Sequence, residues 1–172
     1  MLGLGNDEVS LSPYQEVWAR LFEEEKKRLE VIGAGVLDVQ HIGSTAVPGI
    51  KAKPILDIGV AVANFEEAFT LVPPIERLGY TYRGENGIPR RHYFVKGPPN
   101  KRTHHIHMFE EANEEWAKHL LFRDYLRMHP ETVTAYQALK EDLAKRYPRD
   151  REAYTNGKHE FIQKVLEEAR GA

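Results

Sequence analysis

Apolar residues recur along this chain with two periods, one typical of helices and one typical of strands. Over residues 12–33 they are spaced every three or four positions, opposite a run of charged residues. That spacing predicts an amphipathic helix that begins at Ser12-Pro13. Two apolar runs follow, at about 37–42 and 55–62, and their length and composition predict strands.

The middle of the chain continues with a short helix and more strands. Residues 64–78 predict the helix, with Asn64 as its N-cap and with Pro73-Pro74 breaking or kinking it. Alternating residues between turns rich in Gly and Pro then predict three strands of one meander, at 80–83, 91–96 and 103–109.

The final third of the chain has helical spacing throughout. It predicts three helices, over 114–130, 131–147 and 151–169. Strands followed by a run of helices are typical of an α+β fold. We therefore predict one domain, residues 1–172, with a mixed β-sheet core at about 36–110, flanking helices and a C-terminal helical part at about 114–170.

Composition narrows the class of protein. The chain has 172 residues, 41% of them hydrophobic and 29% charged, which is ordinary for a water-soluble domain. The formal net charge of −2 gives no electrostatic basis for binding nucleic acid or an anionic membrane. No apolar run is long enough to cross a bilayer, and residues 1–10 do not resemble a signal peptide. Because cysteine is absent, thiolate chemistry is excluded, and we expect a cytoplasmic protein without membrane contact.

A Gly-Ser turn between the first two predicted strands has the composition of a phosphate-binding loop. Gly43 lets backbone N–H groups approach an anion, and Ser44 and Thr45 add hydroxyl donors. Asp57 then interrupts the second apolar run, where a buried carboxylate needs a partner, a metal ion or a ligand. The pattern indicates either a site for phosphate and a divalent cation or a structural carboxylate paired with Lys53.

Histidines cluster in the last predicted strand. His105 and His107 are two residues apart, so both point to one face of the sheet, whereas His104 points to the other. Two imidazoles on one face ligate a transition metal, act as general bases, donate to phosphate, or simply satisfy partners inside a sheet. The sequence leaves these four interpretations open.

Charged side chains flank the same strands and the last helix. Arg91 and Arg102 have the planar donors that suit phosphate, although either one by itself is also typical of a solvated surface. Glu85 is either a second metal-binding carboxylate or an exposed loop residue. Tyr154 and Lys158, four residues apart, share a helix face that either closes over a nucleotide or docks the helix on the sheet.

Several of these segments together resemble the GrpB family, a group of small bacterial and archaeal proteins of the nucleotidyltransferase superfamily. The resemblance covers nearly the whole chain. Its most specific segments are 41–49, 53–58, 102–107, 122–127, and Tyr154 with Lys158 and Phe161.

The resemblance implies a polymerase-β-like nucleotidyltransferase core followed by helices. In that superfamily the Gly-Ser turn holds the nucleotide phosphates, and acids spaced acid–apolar–acid on the next strand hold two divalent metal ions. Gly43 and Ser44 match the turn, and Asp57 matches the first acid. Gly59 stands at the second acid position and has no side chain, so the metal pair lacks a shared ligand.

Two hypotheses follow from the missing carboxylate at Gly59. In the first, Asp57, Glu85 and His107 hold Mg²⁺ or Mn²⁺, and His105 or His107 acts as a ligand or as a general base. In the second, the protein binds a nucleotide-like ligand or another anion and transfers nothing.

The first hypothesis predicts a metal-dependent nucleotidyltransferase-like protein whose substrate is a nucleoside triphosphate (NTP). Its acceptor is an unidentified small molecule or protein, since a chain without a basic stripe is a poor candidate for nucleic acid. The alternatives are the inactive binding module and a histidine-assisted phosphohydrolase. The residues expected to bind the nucleotide are Gly43, Ser44, Thr45, Lys53, Arg91, Arg102 and Lys158.

Overall fold

A mixed β-sheet with helices on both faces forms the body of the protein, in agreement with the predicted α+β class. The structure is a computed structural model that describes residues 2–6 and 8–171. The strands in that part of the chain are β1 (Val36–Ile42), β2 (Leu56–Val62), β3 (Tyr80–Tyr82), β4 (His92–Lys96) and β5 (His104–Glu110). The α-helices there are α1 (Glu16–Glu30), α2 (Val72–Arg77), α3 (Glu114–Met128), α4 (Pro130–Arg146) and α5 (Arg151–Gly171).

The strand order is β1-β2-β5-β4-β3, which brings β2 and β5 together although they are far apart in sequence. These two central strands are parallel, and the other neighbouring pairs are antiparallel. The strands β3, β4 and β5 therefore form the predicted meander. In the parallel pair Asp57 lies opposite His105, and Gly59 lies opposite His107.

One face of the sheet packs against α1 and α2 and forms the largest apolar core. Its buried side chains include Phe22, Leu29, Val39, Ile58, Val60, Val62, Leu71, Ile75, Phe94, Ile106 and Met108. Because side chains alternate along a strand, Asp57, His105 and His107 lie on the opposite face. His104 lies on the α1 side, as the alternation predicts, with its Nε2 3.8 Å from a carboxylate oxygen of Glu25.

The helix α3 crosses the other face of the sheet and places an indole directly on Gly59. The helix starts at Asn113, whose side chain accepts a hydrogen bond from the backbone N–H of Glu115 at 2.8 Å. A Cβ atom at Gly59 would lie 2.9 Å from Cζ3 of Trp116, which is itself 6% exposed. The buried indole therefore occupies the space that a side chain at the second acid position would need.

Two arginines one helical turn apart hold α3 against β1 and the Gly-Ser turn. Arg123 Nη1 donates to Oε1 of Gln40 at 2.8 Å and to the carbonyl of His41 at 3.1 Å. Arg127 Nε donates to the carbonyl of Ala46 at 3.0 Å. These arginines dock the helix, and in doing so they fix the position of the turn.

The helices α4 and α5 pack on α3 and on the loop between β1 and β2. A second apolar cluster joins Val47 and Ile50 of that loop to Leu126 of α3 and Tyr136 of α4. None of the described helices has both the length and the apolar character that crossing a bilayer requires.

The structure differs from the sequence prediction at the start of two helices. Ser12 N donates to the carbonyl of Ala52 at 2.8 Å in an antiparallel bridge, so the residues before α1 are extended rather than helical. Pro73 and Pro74 occupy the first turn of α2 instead of breaking a helix, because N–H groups there have no intrahelical acceptor. Asn64 does not cap α2; its side chain accepts a hydrogen bond from the backbone N–H of Glu67, the first residue of a 3₁₀ helix, Glu67–Leu71, that precedes α2.

A buried carboxylate ties α1 to the sheet on the face away from the cavity. Glu25 is 1% exposed, and it accepts hydrogen bonds from Tyr80 Oη at 2.5 Å, Arg28 Nη1 at 2.7 Å and Lys96 Nζ at 3.0 Å. Burial alone would raise the pKa of this carboxyl, but the three donors outweigh burial and lower the pKa to about 2. The charged form of Glu25 is therefore part of the folded state.

We expect Glu25→Gln to destabilise the protein at neutral pH and to flatten its response to acid. A carboxyl whose pKa falls from 4.5 to about 2 on folding contributes on the order of 3 kcal/mol. That contribution is present above the unfolded pKa and is lost as the pH falls toward about 2. Urea unfolding at a series of pH values measures it, with the exposed Glu24→Gln as control. A deficit that stays the same at every pH would contradict this assignment.

We expect Gly59→Ala to destabilise the protein by about 1–3 kcal/mol, the usual cost of overpacking. The added methyl group meets the Trp116 ring at 2.9 Å, and the ring is held in a packed interface. Denaturant unfolding measures the change. In a Trp116→Leu background the same substitution should lower the free energy of unfolding much less. If the effects of the two substitutions on that free energy are additive, a side chain at residue 59 does not clash with Trp116.

Candidate functional site

A cavity of about 650 Å³ lies between the Asp57 face of the sheet and the helices α3, α4 and α5. Its size is within the range of roughly 300–1,000 Å³ that is usual for small-molecule sites. The predicted residues that line it are Gly43, Ser44, Thr45, Lys53, Asp57, His105, His107 and Lys158.

The Gly-Ser turn lies against the Asp57 side chain at one end of the cavity. Gly43 has φ +71°, and a Cβ atom there would lie 2.9 Å from Oδ2 of Asp57. Glycine therefore allows both the turn and its close approach to the carboxylate. Thr45 is buried, and its hydroxyl lies 2.9 Å from Nε2 of His41, whereas Ser44 is half-buried at the cavity wall.

Asp57 and two histidines of β5 form a compact cluster beside this turn. His107 Nε2 lies 2.9 Å from Oδ1 of Asp57, and His105 Nδ1 lies 3.6 Å from the same oxygen. One ligand atom from each residue falls within 4.8 Å of the other two. The cluster thus brings together the three residues that the sequence singled out for chemistry.

Arg91 contacts His107 from the side away from Asp57. Its Nη1 donates to Nδ1 of His107 at 3.2 Å, and because guanidinium has no acceptor, Nδ1 must be the accepting nitrogen. The proton of a neutral His107 therefore lies on Nε2 and is donated to Asp57. Arg91 also donates to the carbonyls of Glu85 and Asn86, at 3.2 and 3.0 Å.

Burial and mutual contact set the charges in this cluster. Burial alone would raise the pKa of the Asp57 carboxyl, but its contacts with His105 and His107 hold that pKa well below its usual range. Burial lowers the pKa of His105, and the nearby carboxylate opposes this only in part. Burial is also the main reason that the pKa of His119, on the cavity wall, falls to about 4. At neutral pH the carboxylate of Asp57 is therefore anionic, and the imidazoles of His105 and His119 are neutral.

A basic part of the cavity wall surrounds the ring of Tyr154. The ammonium groups of Lys53 and Lys158 lie 5.2 and 4.7 Å from the centroid of this ring. Lys140, only 1% exposed, donates to the carbonyl of Lys51 at 2.7 Å. Burial, followed by the charge of Lys158, lowers the pKa of Lys53 to about 7. Ammonium groups that are crowded and partly desolvated in this way favour the binding of a polyanion.

The hydroxyl of Tyr154, in the same basic part of the cavity wall, is a hydrogen-bond donor without an acceptor among the described residues. The side chain of Tyr154 is fully buried. An unpartnered buried hydroxyl is costly, because folding removes its water without replacing the bond. A ligand oxygen in the cavity would remove that cost.

Three predicted residues lie outside the cavity wall. Arg102 is 8% exposed and donates to Asn6 Oδ1 at 3.0 Å and to the carbonyl of Gly97, so it ties the N-terminal segment to the sheet. Arg91 positions His107 instead of facing the cavity. Glu85 is exposed and accepts from the backbone N–H of Arg90, which does not support a metal-binding role.

Sequence reasoning missed several residues that the helices bring to the sheet or to the cavity, of which His119 and Lys140 line the cavity and Trp116 packs on Gly59. Trp116 and His119 are three residues apart on α3, so one helix face brings both to the sheet. Lys140 follows Tyr136 by four residues, and it stands out as a charge on an otherwise apolar stripe of α4. Those spacings were visible in the sequence, but the face of each helix that meets the sheet was not.

The cluster around Asp57 does not fit the pair of Mg²⁺ ions that the resemblance implies. Mg²⁺ demands oxygen ligands, and two ions need carboxylates to bridge them. The grouped side chains offer one carboxylate and two imidazoles. Glu115 also lines the cavity, but its carboxylate accepts from Lys118 Nζ at 3.3 Å and is not part of the cluster.

Comparison with known proteins places the chain among relatives over nearly its full length. The family model described as GrpB protein matches residues 8–168. The chain is 44% identical to the UPF0157 protein YqkA of Bacillus subtilis over 163 residues, which cover 94% of this chain and 47% of that protein. It therefore spans about half the length of YqkA. It is 38% identical to the glutamate-rich protein GrpB of Alkalihalophilus pseudofirmus, covering 98% of this chain and 99% of that one.

Solved structures support the same assignment and include a more distant protein with a similar fold. The crystal structure of conserved protein GrpB from Enterococcus faecalis matches with a TM-score of 0.86 and 42% identity, covering 93% of this chain and 96% of that one. Cid1, in complex with the UTP analogue UMPNPP, matches with a TM-score of 0.52 and 13% identity, covering 78% of this chain and 43% of that one. The likeness to Cid1 shows a shared fold. By sequence and by structure, the chain belongs to the GrpB family.

Proposed function

We propose that this protein binds an NTP in the cavity and transfers its nucleotidyl group to a small molecule or a protein side chain. The observation that carries the proposal is a single cavity whose wall includes both the Gly-Ser turn with Asp57 and a cluster of lysines. Cid1, which shares the fold, was solved with a UTP analogue. The chemistry of these two groups matches the two parts of a triphosphate reaction.

The basic part of the cavity wall suits pyrophosphate, the leaving group of the proposed reaction, because pyrophosphate is a polyanion. The ammonium groups of Lys53 and Lys158, together with the free hydroxyl of Tyr154, would hold the β- and γ-phosphates. Ser44 and Gly43, at the turn, would hold the α-phosphate next to Asp57. This orientation leaves the reacting phosphorus beside the carboxylate–histidine cluster.

The proposed reaction is a single displacement. The acceptor oxygen forms a bond to the α-phosphorus, the bond from that phosphorus to the bridging oxygen breaks, and pyrophosphate leaves. The acceptor proton is released to water. The residues on the cavity wall contribute by positioning and by electrostatic stabilisation, which are the dominant contributions in such transfers. Of the two cofactor ions that the sequence predicts, Mg²⁺ and Mn²⁺, the mixed donor set favours Mn²⁺, and it suits other divalent transition-metal ions as well.

A second candidate is a binding module that holds a nucleotide without transferring it. Trp116 packed on Gly59 favours this function, because the indole fills the place of the second metal-binding carboxylate. The transferase and the binding module both need the cavity and the basic part of its wall. They differ only in whether pyrophosphate is released.

We expect Lys158→Ala to weaken NTP binding roughly 10- to 100-fold, since a charge-assisted contact to phosphate contributes about 1.5–3 kcal/mol. Calorimetric titration with ATP, CTP, GTP and UTP measures the affinity. Lys164→Ala is the matched control, because Lys164 lies exposed on the same helix and outside the cavity wall. If the wild-type protein binds no NTP at millimolar concentration, both candidate functions are wrong.

We expect the wild-type protein to release pyrophosphate from NTP when acceptors are supplied, and Asp57→Asn to slow that release at least about 100-fold. A carboxylate by itself repels the phosphoryl oxygens, so Asp57 would act through the divalent ion that it would hold, and the variant would lose that ion's stabilisation of the transition state. A coupled pyrophosphate assay measures it. Binding without any release in the wild type would identify the binding module, and inorganic phosphate release that vanishes in His107→Ala would identify a phosphohydrolase.

A further inference from the structure

We propose that Asp57, His105 and His107 bind a single divalent transition-metal ion such as Zn²⁺, in place of the pair of Mg²⁺ ions that the fold implies. The inference deepens the proposed function and rests on it for what the ion does, whereas binding of the ion is tested separately. It depends on the geometry of two neighbouring strands and on the chemistry of the side chains that they carry.

The donors are placed by two adjacent interior strands of the sheet. Asp57 lies on β2 and both histidines lie on β5, which is hydrogen-bonded to β2. Asp57 lies opposite His105 in the parallel register, and His107 follows two residues later on the same face. The nitrogens of His107 and His105 that face Asp57 lie 2.9 and 3.6 Å from Oδ1, so all three donors converge on one region.

The kind of donor decides the kind of ion. Imidazole nitrogen binds first-row transition metals well, and a set of two histidines and one carboxylate is a common way to hold one such ion with open positions. Mg²⁺ binds oxygen and keeps much of its water.

The surroundings leave no place for a second ion on this strand. The position two residues after Asp57 is Gly59, and the Trp116 ring fills the space above it. His107, opposite Gly59 in the register, leans across to reach Asp57. One carboxylate with neutral imidazoles balances one divalent ion far better than two.

Arg91 limits the affinity that this site reaches. In the absence of an ion, Arg91 donates to Nδ1 of His107 and the Nε2 proton is donated to Asp57. An ion at Nε2 takes the place of that proton, and Nδ1 then carries a hydrogen that faces another donor. Arg91 must therefore turn away from His107 when the ion binds, which makes the affinity moderate.

Titration with Co²⁺, followed by its visible d–d absorption, tests the inference without any assay of activity. We expect one equivalent of Co²⁺ to bind, Zn²⁺ to displace it, and a large excess of Mg²⁺ to leave the spectrum unchanged. Asp57→Asn, His105→Ala and His107→Ala should each weaken Co²⁺ binding at least about tenfold, since each removes one ligand. His104→Ala is the matched control, because His104 lies on the same strand but faces α1, and it should bind Co²⁺ like the wild type.

The opposite results would overturn the inference. It fails if the wild type gives no d–d bands, if Mg²⁺ competes with Co²⁺, or if His104→Ala loses binding as much as His107→Ala does. Circular dichroism checks that each variant is folded, and His107→Gln, which keeps a hydrogen-bonding group next to Asp57, replaces any alanine variant that does not fold. A wild type that binds NTP but not Co²⁺ overturns this inference alone. One that binds Co²⁺ but no NTP overturns the proposed function alone.

Discussion

The parallel pairing of β2 with β5 is the constraint on which the rest of the site depends. These strands are separated by a helix and two other strands, yet their register sets Asp57 beside His105 and Gly59 beside His107. A shift by one residue would move every one of these side chains to the other face. The register is fixed by burial, because the intervening residues of both strands, such as Ile58 and Ile106, lie in the apolar core under α1 and α2.

Charged side chains on the two faces of the sheet differ in how fully protein groups satisfy them. On the α1 side, Glu25 is fully enclosed and its carboxylate is satisfied by protein donors, so the group stabilises the fold and has no free capacity for a ligand. On the cavity side, the carboxylate of Asp57 is offset by histidines, and the ammonium of Lys53 is poorly compensated. The unpartnered hydroxyl of Tyr154 lies on that side as well. Unsatisfied polar groups around a cavity are the expected signature of a ligand site.

The fold shared with Cid1 here carries a glycine where the resemblance implies an acid. Trp116 and Gly59 form a matched pair, since the indole packs against β2 only because residue 59 has no side chain. That contact anchors α3 to the sheet, and the same helix fixes the Gly-Ser turn through Arg123 and Arg127. The missing carboxylate on β2 and the docking of α3 are therefore linked by one packing contact.

Local pattern was enough to predict much of this protein, because alternation and turn chemistry act within a few residues. The strands, the opposite directions of His104 and His105, and the Gly43-Ser44 turn all followed from such short-range rules. Tertiary structure alone decided that Arg102 ties down the N-terminal segment and that Arg91 positions His107. It also decided that Lys140 reaches the cavity and that Trp116 packs on Gly59. The reason is physical: where a long side chain ends depends on which distant strand or helix packs against it, and no local rule specifies that partner.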